Sequence, residues 1–250
     1  MTVALPGGQV VALFLVLMRS TGFVVVAPIF GHRAVPAVVK AGLAATLAVA
    51  LAGHAPLAAQ PLPAVVAAPV ELVIGLTLGF VLSLGFQAVE TVGSLIALQT
   101  GLSLGSALSP IDGSSSTPID PFFSVLAGLA FLALGLHVAL VQALDHSFAP
   151  FPLGGGMAPG FGMFAAQLAA LVLELGIRVA LPLALALLLA QSAVSLLARA
   201  IPQINVFMLG MPITLLVGLV VIAAAIPVLL QGAASIFSVL FRSVSSGTLP

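Results

Sequence analysis

The sequence predicts an all-α protein of the integral-membrane type, and two observations carry this prediction. Hydrophobic residues make up 62% of the 250 residues and charged residues only 5%, whereas about 25% of the residues of a soluble domain are charged. The mean hydropathy is +1.36, and the apolar residues form runs that approach the roughly 20 residues needed to cross a bilayer core. We therefore expect apolar helical hairpins and no soluble domain.

About six apolar runs are interpreted as helical segments. A weaker run at residues 93–108 is short and rich in Gly and Ser, which is typical of a helix buried in protein rather than one facing lipid. The first basic residue, Arg19, lies inside the first run, so the N-terminal segment lacks the basic start of a secretory signal peptide and is expected to be retained. Basic residues flank the last run on both sides, which leaves the orientation open. The six segments cover residues 9–30, 37–53, 69–87, 122–144, 162–197 and 205–231.

The charge balance and the cysteine count exclude several classes of function. Six basic residues balance six acidic ones without a charge run, so there is no electrostatic footprint for nucleic acid or for anionic lipid. The absence of cysteine excludes disulfides, thiol catalysis and cysteine metal sites. We expect no cofactor and no metal, and we expect partners to be recognised by packing.

Charged residues inside the apolar runs require partners. Arg19 lies about 15 Å along a helix from the start of the first run, which is near the midplane of a bilayer if the segment spans it. A charged side chain at this depth costs roughly 2.5–3.5 kcal/mol, as measured by membrane insertion. It is interpreted either as half of a buried ion pair, with Glu71 or Glu90, or as a residue with a role in transport. Glu174 and Arg178 are four residues apart and are predicted to neutralise each other on one helix face.

One pattern resembles an enzyme motif. Gly101-Leu102-Ser103-Leu104-Gly105 matches G-x-S-x-G, and Asp112 and His137 follow in the order of an α/β-hydrolase. That motif requires a strand and a sheet, which this sequence does not predict. The small residues here, and at Gly75-x-x-x-Gly79, instead favour close helix contacts. His137 is expected to be a hydrogen-bonded packing residue, because no second ligand stands at metal-binding spacing.

The stretch IPQINVFMLGMPI, residues 201–213, places polar residues and prolines at the start of the last run. Pro202 suits a first helical turn and Asn205 a capping position, while Gly210 and Pro212 are expected to open the helix locally. Loosened backbone groups in apolar surroundings need neighbouring protein or water. The stretch is thus interpreted as a contact between helices or subunits, with an ordinary kinked spanning helix as the alternative.

Three motifs, in order along the chain, resemble those of the FliR family of flagellar export-gate proteins and its injectisome counterparts SctT, SpaR and YscT. The resemblance covers nearly the whole chain and includes the number of apolar segments. The motifs are Arg19 with Ala27-Pro28-Ile29-Phe30-Gly31, then Leu98-Gln99-Thr100-Gly101, and finally Ile201-Pro202-Gln203-Ile204-Asn205-Val206-Phe207 with Gly210 and Pro212.

The resemblance implies a non-enzymatic function for a single FliR-like domain over residues 1–250. It implies a core subunit of the type III protein export gate, which forms a pore for unfolded flagellar or injectisome proteins together with FliP-like and FliQ-like subunits. An FlhB-like switch protein is an expected further partner. The expected location is the bacterial inner membrane, at the flagellar basal body.

The resemblance also implies roles for particular residues. The loop at residues 106–118 is expected to plug the closed pore, and its prolines, serines and glycine suit a compact segment without helix; a plain connecting loop is the alternative. Arg19 is expected to be a buried charge. The predicted plug residues are Ser106, Leu108, Ser109, Pro110, Ile111, Asp112 and Pro118. The predicted subunit-packing residues are Pro202, Gln203, Asn205, Phe207, Gly210 and Pro212.

The alternative function is a broken-helix transporter of ions or small molecules. Such transporters have discontinuous helices in corresponding halves of the chain. This sequence has one clear break, at residues 202–212, so the export gate is the favoured interpretation.

Overall fold

The computed structural model describes residues 7–99, 125, 128–129, 131–157, 160–200 and 206–246. Over these residues the backbone is helical apart from connecting turns and one isolated bridge between Leu57 and Leu153, which confirms the all-α class. The helices are α1 Gly7–Val26, α2 Ala37–Leu51, α3 Ala64–Gln99, α4 Leu136–His146, α5 Phe161–Ala200 and α6 Val206–Ser246.

Among the described helices, four stretches are long and apolar enough to cross a membrane. The helix α2 is also apolar, but its 15 residues extend about 22 Å at the usual rise per residue, which is shorter than a typical span. Length and composition therefore identify a helical membrane protein. The four stretches are Gly8–Val26, Ala64–Gln87, Phe161–Ala193 and Ile226–Val244.

Two helices differ in extent from the apolar runs of the sequence. The helix α3 begins at Ala64, includes Pro69 and continues to Gln99, into the weaker run at residues 93–108. The helix α4 begins only after Gly135, whose φ of +67° is left-handed. Because glycine adopts this conformation without steric cost, the run at residues 122–144 is interrupted there.

The helix α6 continues beyond residue 231 to Ser246. Its last turns bury Ile236, Phe237, Leu240 and Val244, while other residues of these turns are exposed. A search for uniformly apolar runs misses such an amphipathic extension, whose apolar residues recur with the helical period.

The helices α1 and α2 pack against each other. The buried residues of α2 recur at helical spacing and form one face, as a packed helix requires: Ala44, Leu47, Ala48 and Leu51. In the connecting turn, Ile29 has a φ of +65°, and Lys40 donates from Nζ to the carbonyl of Gly31 at 2.8 Å. The lysine thereby fixes the turn to the first part of α2.

The helices α1 and α3 approach closely where both carry glycine. A Cβ atom added at Gly75 would overlap the carbonyl oxygen of Arg19, and one at Gly79 would lie 2.7 Å from that of Phe23. On α1, a Cβ atom at Gly22 would meet the backbone of α3 in the same way. Backbones approach this closely only when no side chain intervenes, so the close contact predicted from Gly75-x-x-x-Gly79 is confirmed.

The described residues form two compact units. In the second unit, α5 and α6 are in contact at Gly232, where an added Cβ atom would lie 2.6 Å from Cγ2 of Val179. The first unit comprises described residues within Met1–Gly85, Gly135–Val172 and Phe237–Pro250. The second comprises described residues within Phe86–Leu134 and Leu173–Ile236.

Candidate functional site

Arg19 of α1 is buried in the first unit and pairs with Glu71 of α3. The side chain of Arg19 is 0% exposed and that of Glu71 is 2% exposed. Nε of Arg19 donates to Oε2 of Glu71 at 2.7 Å, and Nη2 lies 2.6 Å from the same oxygen. The two charges therefore neutralise each other without contact with solvent.

The remaining donors of Arg19 are directed at residues that follow α4. Nη1 donates to the carbonyl of Ser147 at 3.3 Å and to its Oγ at 3.2 Å, and Nη2 donates to the carbonyl of Phe151 at 2.7 Å. The guanidinium carbon lies 4.5 Å from the ring centroid of Phe148. A guanidinium has five N–H donors; four hydrogen bonds run from it to Glu71, Ser147 and Phe151, and all three of its nitrogens are engaged.

Glu71 adds a contact with the same connection, which joins α4 to α5. Its Oε1 accepts the N–H of Gly154 at 2.9 Å. The same stretch is hydrogen-bonded to the connection between α2 and α3, because the N–H of Leu153 donates to the carbonyl of Pro56 and the N–H of Leu62 donates to the carbonyl of Gly154, both at 2.9 Å. The ion pair thus holds the α4–α5 connection against α1 and α3, and this connection in turn binds the connection between α2 and α3.

We call this set the Arg19 network; its members are Arg19, Glu71, Ser147, Phe151 and Gly154. A role in transport requires a charge that exchanges partners with water or a passing substrate, whereas a structural role requires donors that are already occupied. Arg19 has the second arrangement, so the geometry favours the structural interpretation. Glu90, the other carboxylate considered, lies in α3, but its side chain is outside the described part of the structure.

Sequence reasoning missed the other partners of the Arg19–Glu71 pair. The Phe151 carbonyl and the Gly154 N–H are backbone groups, which every residue type offers apart from the N–H that proline lacks, and Ser147 is one serine among many. The sequence offered one signal, the run of three glycines at residues 154–156, because such a run is typical of a loop with left-handed conformations. In the structure, Gly154 and Gly156 adopt φ values of +72° and +77°.

Two further polar positions lie outside the Arg19 network. The predicted pair of Glu174 and Arg178 is confirmed, with Nη2 of Arg178 2.6 Å from Oε1 of Glu174, and both side chains are more than half exposed. Nδ1 of His137 is buried and has no hydrogen-bond partner among the described residues, so the expected hydrogen bond is not formed at this nitrogen. No group of residues suited to hold a metal ion occurs in the described ranges.

The plug and most of the packing motif lie outside the described residues. This holds for all residues of the 106–118 loop, for Ser103, and for Pro202, Gln203 and Asn205. Phe207, Gly210 and Pro212 belong to α6, whose backbone is helical without interruption from Val206 to Ser246. The helix therefore does not end at Gly210 or Pro212, and the packing role of these residues stays a prediction.

Comparison with known proteins agrees with the resemblance seen in the motifs. The family model described as bacterial export proteins, family 1, matches residues 10–240. The flagellar biosynthetic protein FliR of Escherichia coli (strain K12) is 34% identical over 230 residues, which are 90% of this chain and 88% of that protein. FliR of Bacillus subtilis (strain 168) is 29% identical over 93% of each chain. The Yop proteins translocation protein T of Yersinia pestis is 30% identical over 57% of this chain and 56% of that protein.

Proposed function

This chain belongs to the bacterial export proteins of family 1, and from this membership we propose that it is a core subunit of a type III protein export gate. It forms, with FliP-like and FliQ-like subunits, the pore through which unfolded flagellar or injectisome proteins leave the cell, and an FlhB-like protein acts on the assembled gate. The observation that carries the proposal is the family match over residues 10–240. The role is structural and conductive, without a catalytic step.

Exposed apolar side chains support a role in a multi-subunit assembly. Large aliphatic residues are exposed along both α5 and α6, among them Leu189, Leu196, Leu216 and Val220. Continuous apolar surface of this kind needs lipid or protein to cover it. We place the chain in the bacterial inner membrane, at the flagellar basal body.

Two segments have specific roles in this proposal. The loop at residues 106–118 closes the pore when no substrate passes, because its composition gives a displaceable segment rather than a helix. The stretch at residues 202–212 packs against sister subunits, where glycine lets a neighbouring helix approach closely. Both roles follow from the family resemblance, and each has a direct test.

The first experiment is co-purification. The C-terminus is tagged, native membranes are extracted in mild detergent, and the proteins recovered with the tagged chain are identified by mass spectrometry. We expect FliP-like and FliQ-like proteins in one stable particle, and their identity distinguishes a flagellum from an injectisome. Recovery of this chain alone, stable and monodisperse, contradicts the export-gate proposal and favours the transporter.

Loop and packing roles are tested in the assembled particle. Deletion of residues 106–118 should make the inner membrane permeable to small solutes, and the same variant without its FliP-like partner is the control, since no pore assembles there. Unchanged permeability of the assembled variant removes the plug role. The substitution Gly210→Leu should block incorporation into the particle, and normal incorporation removes the packing role.

A further inference from the structure

The last turns of α6 are part of the first unit. Residues 237–246 belong to this unit, and their buried residues Phe237, Leu240 and Val244 are spaced three and four residues apart, which places them on one face of the helix. Arg242 lies on the opposite face and is exposed. We call residues 237–246 the α6 strap.

The α6 strap meets α4 at the end of that helix. The ring of Phe241 stands perpendicular to that of His146, and the two centroids are 5.3 Å apart. His146 is exposed and Phe241 is half-buried, so this contact lies near the surface of the unit. His146 directly precedes Ser147, whose carbonyl accepts a hydrogen bond from Arg19. The strap therefore reaches the edge of the Arg19 network.

The contacts that hold the rest of the first unit are made without the α6 strap. The hydrogen bonds that define the Arg19 network join only residues within 19–154. The close crossing of α1 and α3 is made at Gly22, Gly75 and Gly79, and α2 packs against α1. All of these contacts can therefore persist when residues 237–246 are detached.

The α6 strap has the features of an element that opens by itself. It is the end of a helix, where the last carbonyls have no acceptor role within the helix, and helix ends fray. The helix α5 and the preceding part of α6 separate the strap from α4 along the chain, so its docking closes a long segment, which costs conformational entropy. Proteins open locally in cooperative units of different free energy, and the elements that move in function are drawn from the least stable of these units.

We propose that the α6 strap is a detachable closure of the first unit. It docks on α4 and releases while α1, α2, α3 and the Arg19 network stay closed. The unit thus has a closed form and a form in which only the strap is released. Release uncovers the apolar face of the strap together with the part of the unit that this face covers. This inference goes beyond the proposed function and does not depend on it.

Three single thiols in the cysteine-free chain measure the release of the strap. Val244→Cys lies on the buried face of the strap, and Ala143→Cys lies on the buried face of α4. Arg242→Cys is at an exposed position and gives the rate of modification without protection. In detergent-extracted protein, the rate at which a maleimide modifies each buried thiol follows the population of the form that exposes it.

The expected order of rates distinguishes release of the strap from opening of the whole unit. Val244→Cys should react at least about tenfold faster than Ala143→Cys and more slowly than Arg242→Cys. Equal rates for Val244→Cys and Ala143→Cys show that the strap opens only together with the unit, and they overturn the proposal.

Removal of the strap is the second test. A chain that ends after Ile236 lacks the strap, and Leu240→Asp in the full chain undocks it, because a carboxylate on a buried apolar face is costly. With either change, Ala143→Cys should keep its rate of modification within about threefold. In the full chain, Leu240→Asp should raise the rate of Val244→Cys to that of Arg242→Cys.

The control for the undocked strap is Val239→Ala. Val239 is next to Leu240 but only half-buried, so its truncation should change neither buried thiol's rate by more than about threefold. A large rise in the rate of Ala143→Cys after removal of the strap shows that the rest of the unit needs the strap. Failure of both altered chains to give intact protein shows the same, and in either case the proposal is wrong.

Discussion

Replacing Glu71 with alanine should destabilise the first unit strongly. The substitution removes both contacts of the carboxylate with the Arg19 guanidinium and the acceptor of the Gly154 N–H, while Arg19 stays buried. Removal of one partner of a buried ion pair costs about 3–5 kcal/mol, because the remaining charge has no counterion. Even the lower figure changes the equilibrium between the closed first unit and a locally opened form of it by roughly a hundredfold or more.

The rate at which a maleimide modifies a single buried thiol measures this equilibrium. Ala143→Cys places that thiol on the buried face of α4, one turn before Ser147, and no other thiol competes with it. Its rate of modification by a maleimide follows the population of the open form when opening and closing are fast. We expect modification about a hundred times faster with Glu71→Ala. Arg33→Ala removes an exposed charge and should change the free energy of opening by less than about 0.5 kcal/mol.

A double variant separates charge from packing. Arg19→Met combined with Glu71→Leu removes both charges and keeps apolar volume, and such replacements of a buried pair are often neutral or stabilising. The double variant should therefore be modified more slowly than Glu71→Ala. If Glu71→Ala behaves like Arg33→Ala, or if the double variant opens as readily as the single one, the Arg19 network does not hold the unit together.

The remaining predictions concern glycines. Gly75→Ala pushes a Cβ atom into the Arg19 carbonyl and should abolish extraction of intact chain in mild detergent. The control is Gly42→Ala, whose Cβ atom meets nothing within 4 Å and which should stabilise α2 by about 0.5–1 kcal/mol. Equal yields of the two variants contradict the close crossing of α1 and α3. Gly154→Ala forces a side chain into a positive φ, at about 1–2 kcal/mol, and places its Cβ atom 3.1 Å from Cβ of Pro61. Combined with Ala143→Cys, it should raise the rate of thiol modification about tenfold, and an unchanged rate shows that the loop is not under this constraint.

The agreement between sequence and structure differs from helix to helix. The run at residues 162–197 nearly coincides with α5, because a long stretch of apolar residues is visible in the sequence without knowledge of the tertiary contacts. The end of α6 was missed because residues 232–246 are amphipathic, and their burial depends on neighbours that the local pattern does not name. The break before α4 depends on the left-handed φ of Gly135, one of 25 glycines, most of which tolerate helix.

The sequence by itself determined that the protein is of the membrane type, that it is helical and to which family it belongs, because hydropathy and the order of motifs can be read without knowledge of the fold. It also identified Arg19 as a charge that needs a partner. Only the tertiary structure decided that the partner of Arg19 is Glu71, that Ser147 and Phe151 accept its other hydrogen bonds, and that Gly154 donates to Glu71. These contacts join residues more than fifty positions apart, and those with Ser147, Phe151 and Gly154 use backbone groups. The local sequence shows that a charge in an apolar helix needs a partner, but which residues provide that partner depends on which helices and loops pack together.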